Sequence, residues 1–209
     1  METKFTEQES LAVITEMIER ARNNFQKGSG TSMVYYGCLV AAVALLNIVL
    51  LFVLKSNYAF LVWTLMIPGT IVDRTIIEKK VDKQALIKTH IDAVIISAWR
   101  GFGNAVVVFL ILIFGYGYGM QEPRIFIMIT PLMLIMAGIA EQVTGRACRF
   151  RPFLTGAYVM WGGALLCLAT YLFWHSCADV VPFVILAMCM IMGFTVPGYR
   201  LNKKAAENV

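Results

Sequence analysis

Long apolar runs alternate along this chain with short polar breaks. Six runs stand out, at residues 33–54, 58–72, 101–119, 125–140, 153–174 and 180–197. A helix needs about 20 residues to cross roughly 30 Å of hydrocarbon. The first, third, fifth and sixth runs reach or approach that length. The second and fourth are short and contain Pro68 and Pro131. Proline inside a spanning helix predicts a kink, with neighbours taking up the freed carbonyl. The breaks KSN, MQEPR and HSCAD join runs one to two, three to four and five to six. The pattern predicts an all-α integral membrane protein with six transmembrane helices arranged as three hairpins.

The polar flanks have a pattern of their own. Within residues 1–32, Thr6 and Glu9 form a capping box. Leu11, Ile14, Ile18, Ala21 and Phe25 then recur at helical spacing, one apolar seam on an amphipathic cytoplasmic helix. KGSGTS follows as a joint before the first span. Such a seam is first a burial surface. It is also the candidate docking site for a cytoplasmic partner or a second copy of the chain. Residues 73–99 form a second mixed-charge helical segment, in which Ile87, Ile91, Val94 and Ala98 keep helical spacing. The stretch IDAVIISAW is expected along the inner surface. The domain layout is 1–32 as helix and joint, 33–199 as membrane domain and 200–209 as cytoplasmic tail.

Charge gives the chain a direction. With the N-terminus inside, the inner segments hold Lys4, Arg20, Arg22, Lys27, Arg74, Lys79, Lys80, Lys83, Lys88, Arg100, Arg146, Arg149, Arg151, Arg200, Lys203 and Lys204. The outer loops hold only Lys55 and Arg124. Sixteen of the 18 basic residues on one side place both termini in the cytoplasm. The formal charge of +5 then reflects topology and anionic lipid, and nucleic acid is not an expected partner. Composition agrees, with 59% of the residues apolar against about 45–50% in a soluble domain. No short apolar run with a small-residue cleavage site opens the chain, so a cleaved signal peptide is not expected.

Arg100 interrupts two apolar stretches. Counted inward from Gly119, it falls at the cytoplasmic edge, where its stem can snorkel to the headgroups. A buried arginine in a substrate path is the competing arrangement. YYGCLVA and WRGFGNA open the first and third spans alike. In both, the pairs Gly37 with Ala41 and Gly101 with Ala105 are candidate helix-packing positions. Together with similar Gly-to-Arg ends on the even spans, they suggest an internal repeat of hairpins. Asn47, Asn104 and Glu141 are the candidate intramembrane polar positions. The amides are expected to hydrogen-bond between helices. Glu141 is expected to pair with Arg146 or Arg149, with a proton-coupling carboxylate as the sharper alternative.

Little else carries chemistry. Five cysteines without a CxxC pair indicate neither a zinc site nor a disulfide framework. GYGYG at residues 115–119 follows a complete span, which suits a helix end better than a selectivity filter. His175, Cys177 and Asp179 share one short loop that cannot supply an oxyanion hole. No HExxH, GxSxG or P-loop occurs. No catalytic residue, metal or cofactor is expected.

ESLAVITEMIERARNNF, the Gly-Ser joint and YYG resemble the uncharacterised multi-span inner-membrane proteins of Bacteroidota-type bacteria. The resemblance covers roughly the first 70 residues and the overall hydropathy, and implies a bacterial inner membrane without an assigned activity. The expected function is a non-enzymatic scaffold, sensor or regulator acting through its cytoplasmic helices in the lipid bilayer. The alternative is a small transporter or channel built from repeated hairpins. The topology has a direct check. An impermeant thiol reagent added to sealed cells should reach Cys177 and not Cys148, and labelling of Cys148 would overturn the N-in arrangement.

Overall fold

The computed structural model describes residues 15, 30–77, 79, 90–174 and 179–207. The seam of Leu11, Ile14, Ile18, Ala21 and Phe25 lies outside the described residues, as do His175 and Cys177. The described chain is helical throughout, without strands. Six helices are long and apolar enough to cross a membrane: α1 at Thr31–Leu54, α2 at Tyr58–Ile77, α3 at His90–Gly119, α4 at Arg124–Ala147, α5 at Arg151–Phe173 and α6 at Val181–Glu207. They are consistent with a multi-pass membrane protein.

Proline sets the internal grammar of the even-numbered helices. The ring locks φ and removes the N–H, which is harmless only in the first turn of a helix. All six prolines stand in such a turn. Pro152 and Pro182 open α5 and α6, and Pro123 opens the segment that leads into α4. The other three force a restart inside a span. In α2 the chain runs as a 3₁₀ helix over Asn57–Leu65 and begins again as α-helix at Met66, so Pro68 is third in its segment. α4 repeats the device, with 3₁₀ geometry over Pro123–Met128 and a new start at Ile129, two residues before Pro131. α6 widens instead, passing through a π-helical stretch at Met190–Thr195 before Val196–Glu207 restarts with Pro197 second. The expected kinks are thus junctions between helical types.

Packing follows the order α2, α1, α6, α5, α4, α3 across the bundle. The core lies among α1, α4, α5 and α6, around Ala41, Ala44, Leu134, Met160, Ala164, Cys167, Leu186 and Phe194. Glycine lets the backbones meet. Gly37 on α1 rests on Thr195 and on the Met190 carbonyl of α6. Gly138 on α4 lies against the Trp161 ring of α5, and Gly145 against Phe153 and Leu154. Gly163 on α5 rests on Cys189 of α6. Without a hydrophobic drive between lipid-solvated helices, such contacts supply the attraction. The end of the bundle near both termini is knit further by Met33, Phe150, Phe153 and Leu201.

Three features depart from the sequence pattern. α2 does not stop at Val72 but continues through Ile77, and buries Asp73. α3 does not start at Gly101. IDAVIISAW is part of one unbroken helix of 30 residues, because nothing from His90 to Trp99 breaks it. The segment expected at 73–99 is therefore divided between α2 and α3, with 78 and 80–89 outside the described residues. Gly37 and Gly101, matched in sequence, have opposite surroundings. Gly37 and Ala41 are buried, whereas Gly101 and Ala105 are exposed and nothing lies within 4 Å of a Cβ built on Gly101. None of the apolar window of α3 is buried within the chain.

Substitution separates the two glycines. Gly37→Ala must displace Thr195 or the α6 backbone and should lower the melting temperature in detergent, with Gly37→Leu worse. Gly101→Ala should be neutral or stabilising by up to ~1 kcal/mol through helix propensity, and Gly101→Leu should melt with the parent. Equal losses at both positions would show that α3 packs more closely than described.

Candidate functional site

The buried face of α4 reads Leu134, Ala137, Gly138, Glu141, Thr144 and Gly145. This is the three-and-four spacing of a helix stripe, with a carboxyl in the middle. The two glycines bring α5 close on either side of Glu141, so its side chain lies within the α4–α5 seam. It is fully buried, and neither Oε1 nor Oε2 has a hydrogen-bond partner. The expected ion pair with Arg146 or Arg149 does not form. Position i+5 lies about 140° around the helix from Glu141, so Arg146 faces outward and is exposed. Arg149 sits beyond the helix end at a positive φ of 50° and is also exposed.

Two further elements complete the surroundings. The carboxyl of Glu141 rests against Gly156 of α5, and the Gly193 carbonyl of α6 rests against the same α-carbon. Gly193 itself meets Met160 and the Gly156 carbonyl, so α5 and α6 touch backbone to backbone there. One turn along α4, the Thr144 hydroxyl donates to the Ala140 carbonyl at 2.8 Å and accepts from the Trp99 indole N–H of α3 at 3.2 Å. The Trp99 ring also meets Phe194 of α6 edge-on, with centroids 5.2 Å apart. Trp99 therefore ties α3 to α4 and to α6 at once, next to both Glu141 and Gly193 in sequence register.

The other polar positions behave differently. Asn47 ends the buried stripe of Gly37, Ala41 and Ala44 on α1, and its side-chain amide donates to the Ala59 carbonyl of α2 at 2.9 Å. Its Oδ1 has no partner. This is the interhelical role expected of it. Asn104 is exposed on α3 and does not join the core. Arg100 is exposed as well. Asp73 stands one residue beyond the second apolar run, and the continuing helix carries it inward. It is 6% exposed, beside the hydroxyls of Ser32 and Tyr36, with Oδ1 unpartnered. Nearby, the Tyr35 hydroxyl donates to the Gly69 carbonyl at 3.1 Å.

No family model matches the chain, and neither the curated proteins nor the solved structures contain a match. The site must therefore be read from its own chemistry. Among the described residues no group of three or more His, Cys, Asp or Glu could hold a metal ion. A hollow of about 410 Å³ opens between the far ends of α5 and α6, lined by Leu166, Ala169, Thr170, Trp174, Val181 and Ile185. Neither Glu141 nor Asn47 lines it.

Glu141, Gly156 and Gly193 come from three helices and form the candidate site. The sequence singled out the first of these and left the other two aside. The available signal was register. Gly138 and Gly145 bracket Glu141 at −3 and +4, and Pro197 stands four residues after Gly193.

The two asparagines give a simple contrast. Asn47→Ala should cost roughly 0.6–1.7 kcal/mol, the range of a hydrogen bond between membrane helices. Asn104→Ala should leave the melting temperature unchanged. Both are read by thermal unfolding of the detergent-solubilised chain, and a larger loss at Asn104 would overturn this assignment.

Proposed function

We propose that the chain is a non-enzymatic multi-pass protein of a bacterial inner membrane, with both termini cytoplasmic, acting as a scaffold, sensor or regulator through its cytoplasmic helical segments. The observation that carries the reading is a clamp at Gly30. The Gly30 N–H donates to the Asn202 side chain of α6 at 3.0 Å, and the Asn202 amide donates to the Thr31 hydroxyl at 3.2 Å. The Gly30 carbonyl lies against Gly198. Gly30 and Thr31, at the start of α1, are thereby held to the end of α6. Whatever binds or moves the N-terminal segment acts directly on the α1–α6 seam, where Gly37 meets the π-helical stretch. The basic residues at the ends of these helices favour the cytoplasmic side by the positive-inside rule. The Bacteroidota-type resemblance points to the same membrane.

A second reading, a small transporter or channel made of repeated hairpins, is favoured by one observation. An ionisable side chain buried inside an apolar span is a functional-site candidate by default, and Glu141 is one.

Two measurements separate the readings. The first compares partners retained by the solubilised full chain with those retained after removal of residues 1–28. The second is solute or ion flux in vesicles carrying the purified chain. A defined partner lost on truncation, together with Asn202→Ala weakening its retention, is the expected result. Flux through vesicles that depends on Glu141, with no partner lost on truncation, would replace this reading by the transporter.

A further inference from the structure

A carboxyl without a partner and a helix carbonyl face one α-carbon. Oε1 of Glu141 and the oxygen of Gly193 are the atoms that a methyl group on Gly156 would strike. In a regular helix the Gly193 carbonyl would accept from the N–H of residue 197. That residue is proline, which has none. α6 meets the loss by widening. The Thr195 hydroxyl donates to the Met190 carbonyl at 3.3 Å, and the Val196 N–H donates to that of Ile191. The i+4 donor of α-helical geometry is absent at Gly193, and its carbonyl has two lone pairs to offer.

Burying a polar group without a hydrogen bond is costly, and burying an unpaired charge costs far more. A carboxylic acid removes the charge and has one hydrogen to give, which a lone pair of the Gly193 carbonyl can receive. We propose that Glu141 is a proton-binding site inside the helix bundle: its acid form donates an O–H to the Gly193 carbonyl beside Gly156, and loss of that proton to water opens the seam between α4 and α6.

The ligand is a proton rather than a metal ion, on two grounds. The Glu141 carboxyl and the Gly193 carbonyl approach the same point beside Gly156, and an O–H···O bond needs no further ligand there. A hard cation needs a shell of several oxygens, and the groups set against the carboxyl are the backbones of Gly156 and Gly193. No charge faces Glu141 from α5 or α6 at these contacts, and Arg146 and Arg149 of its own segment are exposed. The carboxylate left after proton loss therefore has no counter-charge at hand and is stabilised only by reaching water. Trp99 spans the same seam through Thr144 and Phe194, so opening it would also shift the side chain that ties α3 to α4 and α6.

The test is modification by a lipid-soluble carbodiimide, which attacks carboxylic acids in their protonated form within apolar surroundings. The full chain is treated in detergent from acid to alkaline pH, in sodium chloride and in choline chloride, and the Glu141 peptide is quantified by mass spectrometry. Labelling should be strong at acid pH, fall at least about tenfold at alkaline pH, and be the same in both salts. Glu141→Gln should fold, since its amide N–H can replace the acid O–H towards Gly193. It should also flatten the pH dependence of the melting temperature, which in the parent falls as pH rises past the ordinary glutamate range. That sign follows because the folded state holds a proton that the unfolded state releases. Pro197→Ala returns a donor to Gly193 and should speed labelling of Glu141. Absence of labelling at acid pH, undiminished labelling at alkaline pH, or a melting profile of Glu141→Gln identical in slope to the parent would each overturn the proposal. Protection by sodium would overturn it in favour of a cation site. None of these readouts involves residues 1–28 or a partner, so this proposal and the scaffold or sensor reading can fail independently.

Discussion

Leucine against leucine gains little over leucine against a lipid tail, so apolar side chains do not by themselves draw membrane helices together. What remains is dispersion at short range and the occasional hydrogen bond, and both require backbones to come close. In this chain closeness depends on glycine at the seams. Gly37, Gly138, Gly145, Gly156 and Gly163 each lack the room for a Cβ that their neighbours would tolerate. The order of the bundle, its buried face on α4 and the position of Glu141 all depend on that approach. Where glycine faces outward, as at Gly101 and Gly103, no neighbour lies within 4 Å of a Cβ, and no other backbone comes close.

The same closeness explains why polar groups end up partnerless. A helix pair separated by a methylene chain leaves space for an arginine to fold in beside a glutamate. A pair in backbone contact does not. Glu141 is thus cut off from Arg146 and Arg149, a few residues away in sequence, by its own position on the stripe. The amide N–H of Asn47 finds a partner because α2 meets α1 where the 3₁₀ segment turns the Ala59 carbonyl towards it.

Hydropathy made the six helices legible, since an apolar run of about 20 residues has few other uses. Their ends were less legible. Asp73 and the stretch from His90 to Trp99 carry polar side chains, yet helical hydrogen bonding does not stop where side chains turn polar, and both continue their helices. The proline signal was read correctly as a disturbance, but its form depends on where the next α-segment restarts, and that depends on neighbours. Glu141 was visible as an oddity. Its setting was not, because Gly156 and Gly193 belong to other helices and only the fold brings them to one point. The matched glycines Gly37 and Gly101 show the limit most clearly. Local sequence can say that a helix could be approached, and only the three-dimensional arrangement says whether anything does so.

The clamp between Gly30 and Asn202 joins positions 172 apart in the chain. A ribosome adding about 5–20 residues per second needs roughly 10–30 s to travel that distance. Throughout that interval α1 exists without α6, and Gly37 has no Thr195 to rest on. Glu141 likewise waits for α6 to be made before Gly193 can reach it. α6, made after the other five described spans, is therefore the keystone of the first, and a chain cut short before it would leave an uncovered carboxyl and an open glycine seam.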